Sequence, residues 1–285
     1  MGVSEATLRT WERRYGVVAP ERTDAGYRLY DPAAIAALTR MRQLIDTGWS
    51  ASTAARSIVH GESSLEPASP PVPTASGEPR PGASAQAEFL RAASRVDPGG
   101  LAASLDQGLS IGSFEYAVDS WLFPTLVALG EGWERGEIDV AGEHMASHLV
   151  LQRLATAFEA AGTQPRGPTV VVGLPSGSRH ELGALAFATA ARRLGHHVLY
   201  LGPDVPEASW LTAVQTHTAR AAVLSIVTTA DQAPARATAH TLRAHHPELI
   251  LACGGSHRSP LSAKAHALPH SIAAAAQALD SLLHA

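Results

Sequence analysis

Apolar residues recur at three- and four-residue spacing through residues 87–163: Phe89 and Leu90, then Leu101, Leu105 and Leu109, then Trp121, Leu122, Leu126 and Leu129, then Leu149, Leu151, Leu154 and Phe158. That period belongs to helices with one buried face, and breaks at 98–100, 108–112 and 136–139 divide it into about four, as in a four-helix bundle. Past Pro165 the rhythm changes. Short β-branched runs at 169–174, 197–201, 221–227 and 249–253 alternate with longer helical stretches, the last over 272–283. Such alternation predicts a parallel sheet covered on both faces, a doubly wound, Rossmann-like α/β domain over 164–285.

The front of the chain has a third character. VSEATLRTWERRYG offers Ser4 as an N-cap, an apolar face of Ala6, Leu8 and Trp11, and Arg9, Arg13 and Arg14 directed elsewhere. PERTDAGYRLYD then reads as a β-hairpin turning at Gly26, with Arg22, Tyr27, Arg28 and Tyr30 around it, and two more helical pieces follow. Helix, basic hairpin and helix pair over residues 1–60 is the order of a winged helix-turn-helix, whose helix enters the major groove while the wing meets phosphates. Between front and bundle, residues 61–86 are dense in Pro, Ser, Gly and Ala without periodicity, a composition that cannot offset its ordering entropy and reads as a flexible linker.

Charge supports this division only weakly. The net −4 conceals eight arginines against six acids in residues 1–60, so only the front favours a polyanion, and by a small excess. With 45% hydrophobic residues among 285, there is ample material for buried cores. The single cysteine, Cys253, excludes an intramolecular disulfide and a cysteine-rich metal site. No apolar run is long enough to span a bilayer, and Arg and Glu stand where a secretory segment needs apolar residues, so the expectation is a cytoplasmic protein.

Ligands of doubly wound sheets bind outside the carboxyl ends of the strands, which directs attention to those loops. The first reads PSGSRHELGAL and places His180 just past a strand and Gly183 where a helix begins. A lone histidine there is most simply an ordinary residue of a helix start. The spacing says more: Ser178-x-His180-x-x-Gly183 is followed after 41 residues by Ser225-x-Val227 and after another 26 by Gly254-Gly255, each at the carboxyl end of a predicted strand. The loop LGPDVP ends the second strand and faces the same rim. Five further histidines, at 196, 197, 240, 245 and 246, lack the i, i+4 pairing beside carboxylates that marks a metal site and read as scattered surface residues. No phosphate-cradling glycine loop or nucleophile elbow is present.

Three family resemblances rest on these residues. WERRYG followed by GYRLYD resembles the MerR family of DNA-binding regulators, which implies double-stranded operator DNA as a partner, with contacts from Thr7, Arg9, Arg13, Arg14, Tyr27 and Arg28. That family has a strand and a first helix before this point. This chain begins at Met1 almost on the recognition helix, so the expectation is either a start lying upstream or impaired DNA binding. The rear pattern resembles the DxHxxG, SxL, GG signature of cobalamin-binding domains. The resemblance implies His180 as lower axial ligand of cobalt, with Ser178 and Gly183 in its loop and Ser225, Val227, Gly254 and Gly255 lining a slot for the cofactor's nucleotide tail. Ser178 stands where the family has Asp, and its uncharged hydroxyl is a weaker acceptor for the imidazole, which implies a less basic ligand.

Trp133 followed after nine residues by Glu143-His144 is similar to the helical bundle of the CarH and LitR light-dependent repressors. The similarity implies that these three residues cap the upper face of adenosylcobalamin, and that cofactor state or light governs a homo-oligomer, dimer or tetramer, and through it DNA binding. In that group a histidine follows the tryptophan; here it is Glu134, a poor substitute for imidazole on cobalt, so a stable bis-histidine product is not expected. A sensor of cobalamin without light stays open, as do a corrinoid methyltransferase or mutase-type subunit and a MerR regulator with a vestigial corrin site. The DNA-binding segment and the lack of a substrate domain favour a regulator over an enzyme.

Overall fold

In a computed structural model, the chain forms two units, Met1–Glu78 and Pro79–Ala285. The structure describes residues 82–162, 167–258, 261 and 265–284 and, in the front unit, 8, 11, 12, 16–18, 20–22, 28–46, 55 and 58. The linker reading over 61–81 lies outside them.

In the front unit, β1 (Glu21–Arg22) and β2 (Arg28–Leu29) pair antiparallel, Glu21 opposite Leu29 and Arg22 opposite Arg28, the register a hairpin needs. Helix α1 (Pro32–Asp46) opens with Pro32 in its first turn and with Asp31 Oδ1 accepting the Ala34 N–H at 2.6 Å. Trp11, Leu38, Met41 and Ala55 are buried together, with Leu8, Val17, Val18, Tyr30 and Ile58 packed against them. Here Glu12 takes a hydrogen bond from Arg28 Nε at 3.0 Å and another from the Tyr30 hydroxyl, so one carboxylate holds the start of the post-hairpin segment to the Trp11 helix.

The second unit begins with helices α2 (Ala83–Ser94), α3 (Pro98–Leu109), α4 (Phe114–Ala117), α5 (Phe123–Glu134) and α6 (Val140–Ala160). Two sequence expectations are corrected here. The helix starts at Ala83, so the linker ends before Gln86: the Gln86 N–H already bonds the Gly82 carbonyl, and an Ala-rich start is favourable once Phe89 is buried behind it. Residues 98–100 do not break the bundle either. Asp97 caps α3 by accepting from Gly99 N and Gly100 N, and Pro98 sits in the first turn, where its missing N–H is harmless, so the real break is the three residues before Pro98.

A five-residue π turn, Val118–Leu122, joins α4 to α5. Two of its side chains point in different directions. Trp121 is buried, meets Phe89 edge-on at 6.1 Å and donates from Nε1 to the Gly82 carbonyl at 3.1 Å. Asp119 caps the N-terminus of the last helix, accepting from Ser271 Oγ (2.7 Å), Ile272 N (2.8 Å) and Ala273 N (3.2 Å).

The α/β part follows as β3 (Thr169–Pro175), α7 (Leu182–Arg193), β4 (His197–Val205), α8 (Glu207–Thr216), β5 (Ala221–Ser225), α9 (Gln232–His245), β6 (Ile250–Gly254), β7 (His266–Ala267) and α10 (Ile272–His284). All five strands are parallel in the order β4-β3-β5-β6-β7, the doubly wound layout expected. Alternation along each strand sorts the core. Val170, Val172, Ala221, Val223 and Ala252 face α7, α10 and the bundle, whereas Val171, Ala222, Leu224, Leu251 and Cys253 face α8 and α9. Strand β4 runs to Val205, so LGPDVP is part of a strand whose pairing with β3 is interrupted by bulges after Val172 and Gly173. Strand β5 stops at Ser225 and leaves Val227 beyond it, and β7 has no counterpart among the expected strands.

The bundle lies against α7 and α10. Arg193 at the end of α7 pairs with Glu115 at 2.7 Å, and Arg192 donates to the Phe158 and Gly162 carbonyls at the end of α6. At the opposite edge of the sheet from the ligand rim, His196 is buried with Asp280 Oδ1 3.0 Å from its Nε2. Burial lowers its pKa below the ordinary 6.5, outweighing Asp280. The unfolded chain therefore takes up this proton first as pH falls, and the stability present above about pH 6.5 is lost as pH drops toward the lower folded value. Thermal unfolding at pH 7.5 and 5.5 is expected to show a smaller pH difference in His196→Asn than in the parent; an identical difference would remove His196 from the account.

Candidate functional site

The chain runs outward from β3 in both directions, to β4 on one side and β5 on the other, which makes the β3–β5 boundary the topological switch point. Loops diverge there and leave a crevice at the carboxyl ends of the strands. His180 occupies the loop that leaves β3, one residue before the N-cap of α7, and is exposed. Ser178 in the same loop is 2% exposed, and its hydroxyl has no hydrogen-bond partner. A buried hydroxyl without a partner is uncommon, and it marks a place where an added group can be bonded.

Across the switch point, β5 and β6 end in loops that are stitched together. Ile226 N donates to the Gly254 carbonyl (2.9 Å), His257 N to the Ile226 carbonyl (3.0 Å) and His257 Nδ1 to the Val227 carbonyl (2.7 Å). Buried Asp231 accepts from Val227 N at 3.0 Å and Thr228 N at 2.8 Å, closing a capping box with Thr228. The two glycines of the pair play different parts. Gly255 has φ +96°, and a Cβ there would stand 2.3 Å from the Ile226 oxygen, so its smallness serves the close approach of the two loops. A Cβ on Gly254 would meet nothing within 4 Å, and the same holds for Gly183 at the start of α7. Open space thus lies beside both ends of the motif, while Ser225 is nearly buried as the last residue of β5.

The bundle contributes the other group. Trp133 ends α5, Glu143 and His144 open α6, and a tight turn with Gly136 at φ +74° brings these three to one end of the bundle. Trp133 is half-buried. Glu143 accepts from Ser147 Oγ at 2.7 Å and pairs with His144 Nδ1 at 2.7 Å, and the His144 side chain is 76% exposed. Helices α6 and α7 meet at their C-terminal ends through Arg192 and pack side by side. His148, also on α6, pairs with Gln152 at 3.0 Å.

Of the six DNA-contacting residues expected in the front unit, Thr7, Arg9, Arg13, Arg14 and Tyr27 lie outside the described residues, and Arg28 pairs with Glu12.

Residues 1–58 match the model of the MerR HTH family regulatory proteins, while 85–157 and 151–278 match two models of B12 binding domains. Over 206 residues, 72% of this chain and 68% of its relative, the sequence is 37% identical to the HTH-type transcriptional repressor CarH of Myxococcus xanthus. The chain belongs to the CarH-type family of cobalamin-binding MerR regulators. CarA of the same organism, also an HTH-type transcriptional repressor, is 34% identical over 73% of this chain and 67% of its own length. In fold, a monomethylamine corrinoid protein of Methanosarcina barkeri superposes with a TM-score of 0.53 at 17% identity, over 68% of this chain and 96% of that one. Membership of the CarH-type family gives the chain its ligand class, cobalamin. Among the described residues no helix is long and apolar enough to cross a membrane.

Three residues near these loops carry no motif signal of their own, Asp204 and Tyr200 on β4 and Asp119 at the foot of α10, whereas Asp231 behind the β5 loop was open to detection through the Thr-x-x-Asp spacing of a capping box.

Proposed function

We propose that this protein is a transcriptional repressor that takes adenosylcobalamin at the rim crevice, and whose cofactor state controls assembly and hence operator binding. One observation carries the reading: an exposed imidazole at the switch point, beside an unsatisfied buried hydroxyl and two open glycine positions.

The residues fit the group. His180 is the nitrogen donor for cobalt, an imidazole being a good ligand for that metal. Ser178 offers its hydroxyl to whichever partner the bound state brings, and Ser225, Val227, Gly254 and Gly255 border the slot for the nucleotide tail. Trp133, Glu143 and His144, at one end of the bundle, would shield the bound group from water. The cofactor supplies a cobalt–carbon bond that light can break. Glu134, half-buried behind Trp133, is a carboxylate where a second imidazole would be wanted, so the lit state is not held by a histidine at that position. Operator DNA is met by the MerR segment, and several weak DNA heads tethered in one dimer or tetramer gain affinity that dissociation removes. The CarH and CarA relatives are themselves repressors, which supports a regulator over a corrinoid enzyme subunit.

Absorption spectra and size-exclusion profiles of the full chain with adenosylcobalamin, recorded in the dark and after green light, test the proposal. Expected are a spectrum distinct from the free cofactor, a larger species in the dark and its loss on illumination, with operator retardation following the larger species. A free-cofactor spectrum at saturating protein would end the cobalamin reading; a distinct spectrum indifferent to light would leave a sensor of cobalamin alone.

A further inference from the structure

Strand β4 grips the His180 loop at both ends, through residues outside the Ser178-x-His180-x-x-Gly183 pattern. At the upstream end, Asp204 Oδ1 accepts the Gly177 N–H at 2.6 Å and stands 3.5 Å from Ser176 Oγ, while the Asp204 N–H donates to the Ser178 carbonyl at 2.9 Å. One residue therefore holds three consecutive residues. Asp204 does so from φ +54°, a region that a residue with a Cβ seldom adopts, while exposed and burying little surface of its own. It lies where β4 bulges against β3, between the Gly202 and Val205 pairings, and presents both its N–H and its carboxylate to the loop. Downstream, the Tyr200 hydroxyl donates to Glu181 Oε2 at 3.0 Å and lies 3.5 Å from the Glu181 carbonyl. Burial, with the Glu181 carboxylate beside it, raises the Tyr200 pKa and keeps the phenol a donor. Its ring also meets Phe158 of α6 at 6.0 Å. Arg179 and His180 are the two residues between these anchors.

We infer that Asp204 and Tyr200 are positioning residues for His180, which fix where its imidazole stands over the crevice. The inference rests on the reading of His180 as the cobalt ligand. Because position 178 is Ser, this loop has no carboxylate two residues before the histidine, and β4 reaches across to orient it from outside the motif. Groups hydrogen-bonded to a ligating imidazole set its orientation, and their loss weakens metal binding about 10- to 100-fold; Asp204 and Tyr200 act one step further out, through the loop, so the expected loss lies toward the lower end of that range.

Two measurements on the full chain separate the parts of this claim. Without cofactor, amide exchange at Gly177 and over 178–181 is expected to rise about tenfold or more in Asp204→Ala and in Asp204→Gly, since each removes a charged acceptor. Asp204→Asn keeps an acceptor oxygen and tolerates the left-handed backbone, so it should stay near the parent. The glycine variant relieves the backbone while losing the bond, and so separates strain from anchoring. With hydroxocobalamin, absorption reports whether a protein imidazole is on the metal. Asp204→Ala and Tyr200→Phe are expected to lower the imidazole-bound fraction and the affinity, with Asp204→Asn restoring both. Parent-like spectrum and affinity in Asp204→Ala and Tyr200→Phe would overturn the inference, even if exchange rises. A parent protein whose spectrum is unaffected by His180→Ala would instead defeat the ligand reading, and unchanged exchange in Asp204→Ala would show that the Asp204 carboxylate does not hold the loop.

Discussion

Replacing His180 by Ala is expected to abolish the imidazole-bound spectrum and to weaken cobalamin binding by at least about a hundredfold, since the ligand itself outranks the outer partners whose loss already costs 10- to 100-fold. The same change should leave the unloaded fold intact. His180 is exposed, and among the described residues its ring makes no hydrogen bond, so truncating it belongs with surface changes of about 0.5 kcal/mol or less. The contrast between the two readouts is what makes the variant informative. Thermal unfolding without cofactor should coincide with the parent, while the stabilisation conferred by saturating cobalamin should shrink, because ligand stabilisation follows the ratio of concentration to dissociation constant. A large loss of stability in the unloaded state would instead assign His180 a structural part.

The largest effect on stability is expected at Trp121. The indole fills a slot floored by glycine: a Cβ on Gly108 would lie 2.1 Å from the ring, and one on Gly82 2.6 Å from it. Removing the ring in Trp121→Ala leaves a cavity between Phe89, Gly82 and Gly108, for a loss of about 3–5 kcal/mol. In a unit of this size that is roughly 10 °C of melting temperature. Coupling sharpens the test. Gly108→Ala alone forces overpacking and should destabilise by about 1–3 kcal/mol, yet should be almost neutral in the Trp121→Ala background, where the space exists. Additive losses would show that the slot relaxes independently of the ring.

How far the sequence disclosed this arrangement depended on the range of the forces involved. A bundle of about four helices was legible because each buries one face at a fixed period, the first four strands because each is a short β-branched run, and the place of His180 past a strand because three separated elements fall at strand ends. Element ends were less so. The stop of β5 at Ser225 and the extension of β4 to Val205 are set by pairing with neighbours and by bulges, which a single strand's pattern does not encode. Gly99 and Gly100 looked like a break because glycine is a weak helix former, but Asp97 and Pro98 supply a start strong enough to carry them. The anchoring parts of Asp204, Tyr200 and Asp119 were invisible, since each acts on a residue distant in sequence, and for Asp204 and Asp119 the partner is largely backbone, which has no sequence signature.

The π turn at 118–122 has a consequence for the lineage that carries it. Asp119 and Trp121, two residues apart, serve opposite neighbours, the foot of α10 and the entry of α2. Regular winding advances about 100° per residue, so excising a single residue here swings whatever follows by more than a quarter of a revolution. Either the carboxylate or the indole then loses its seat, and no rotamer recovers both. Drift in length, which surface loops absorb freely, is thereby closed off at this one spot, and homologues that keep both neighbours must keep the extra residue with them.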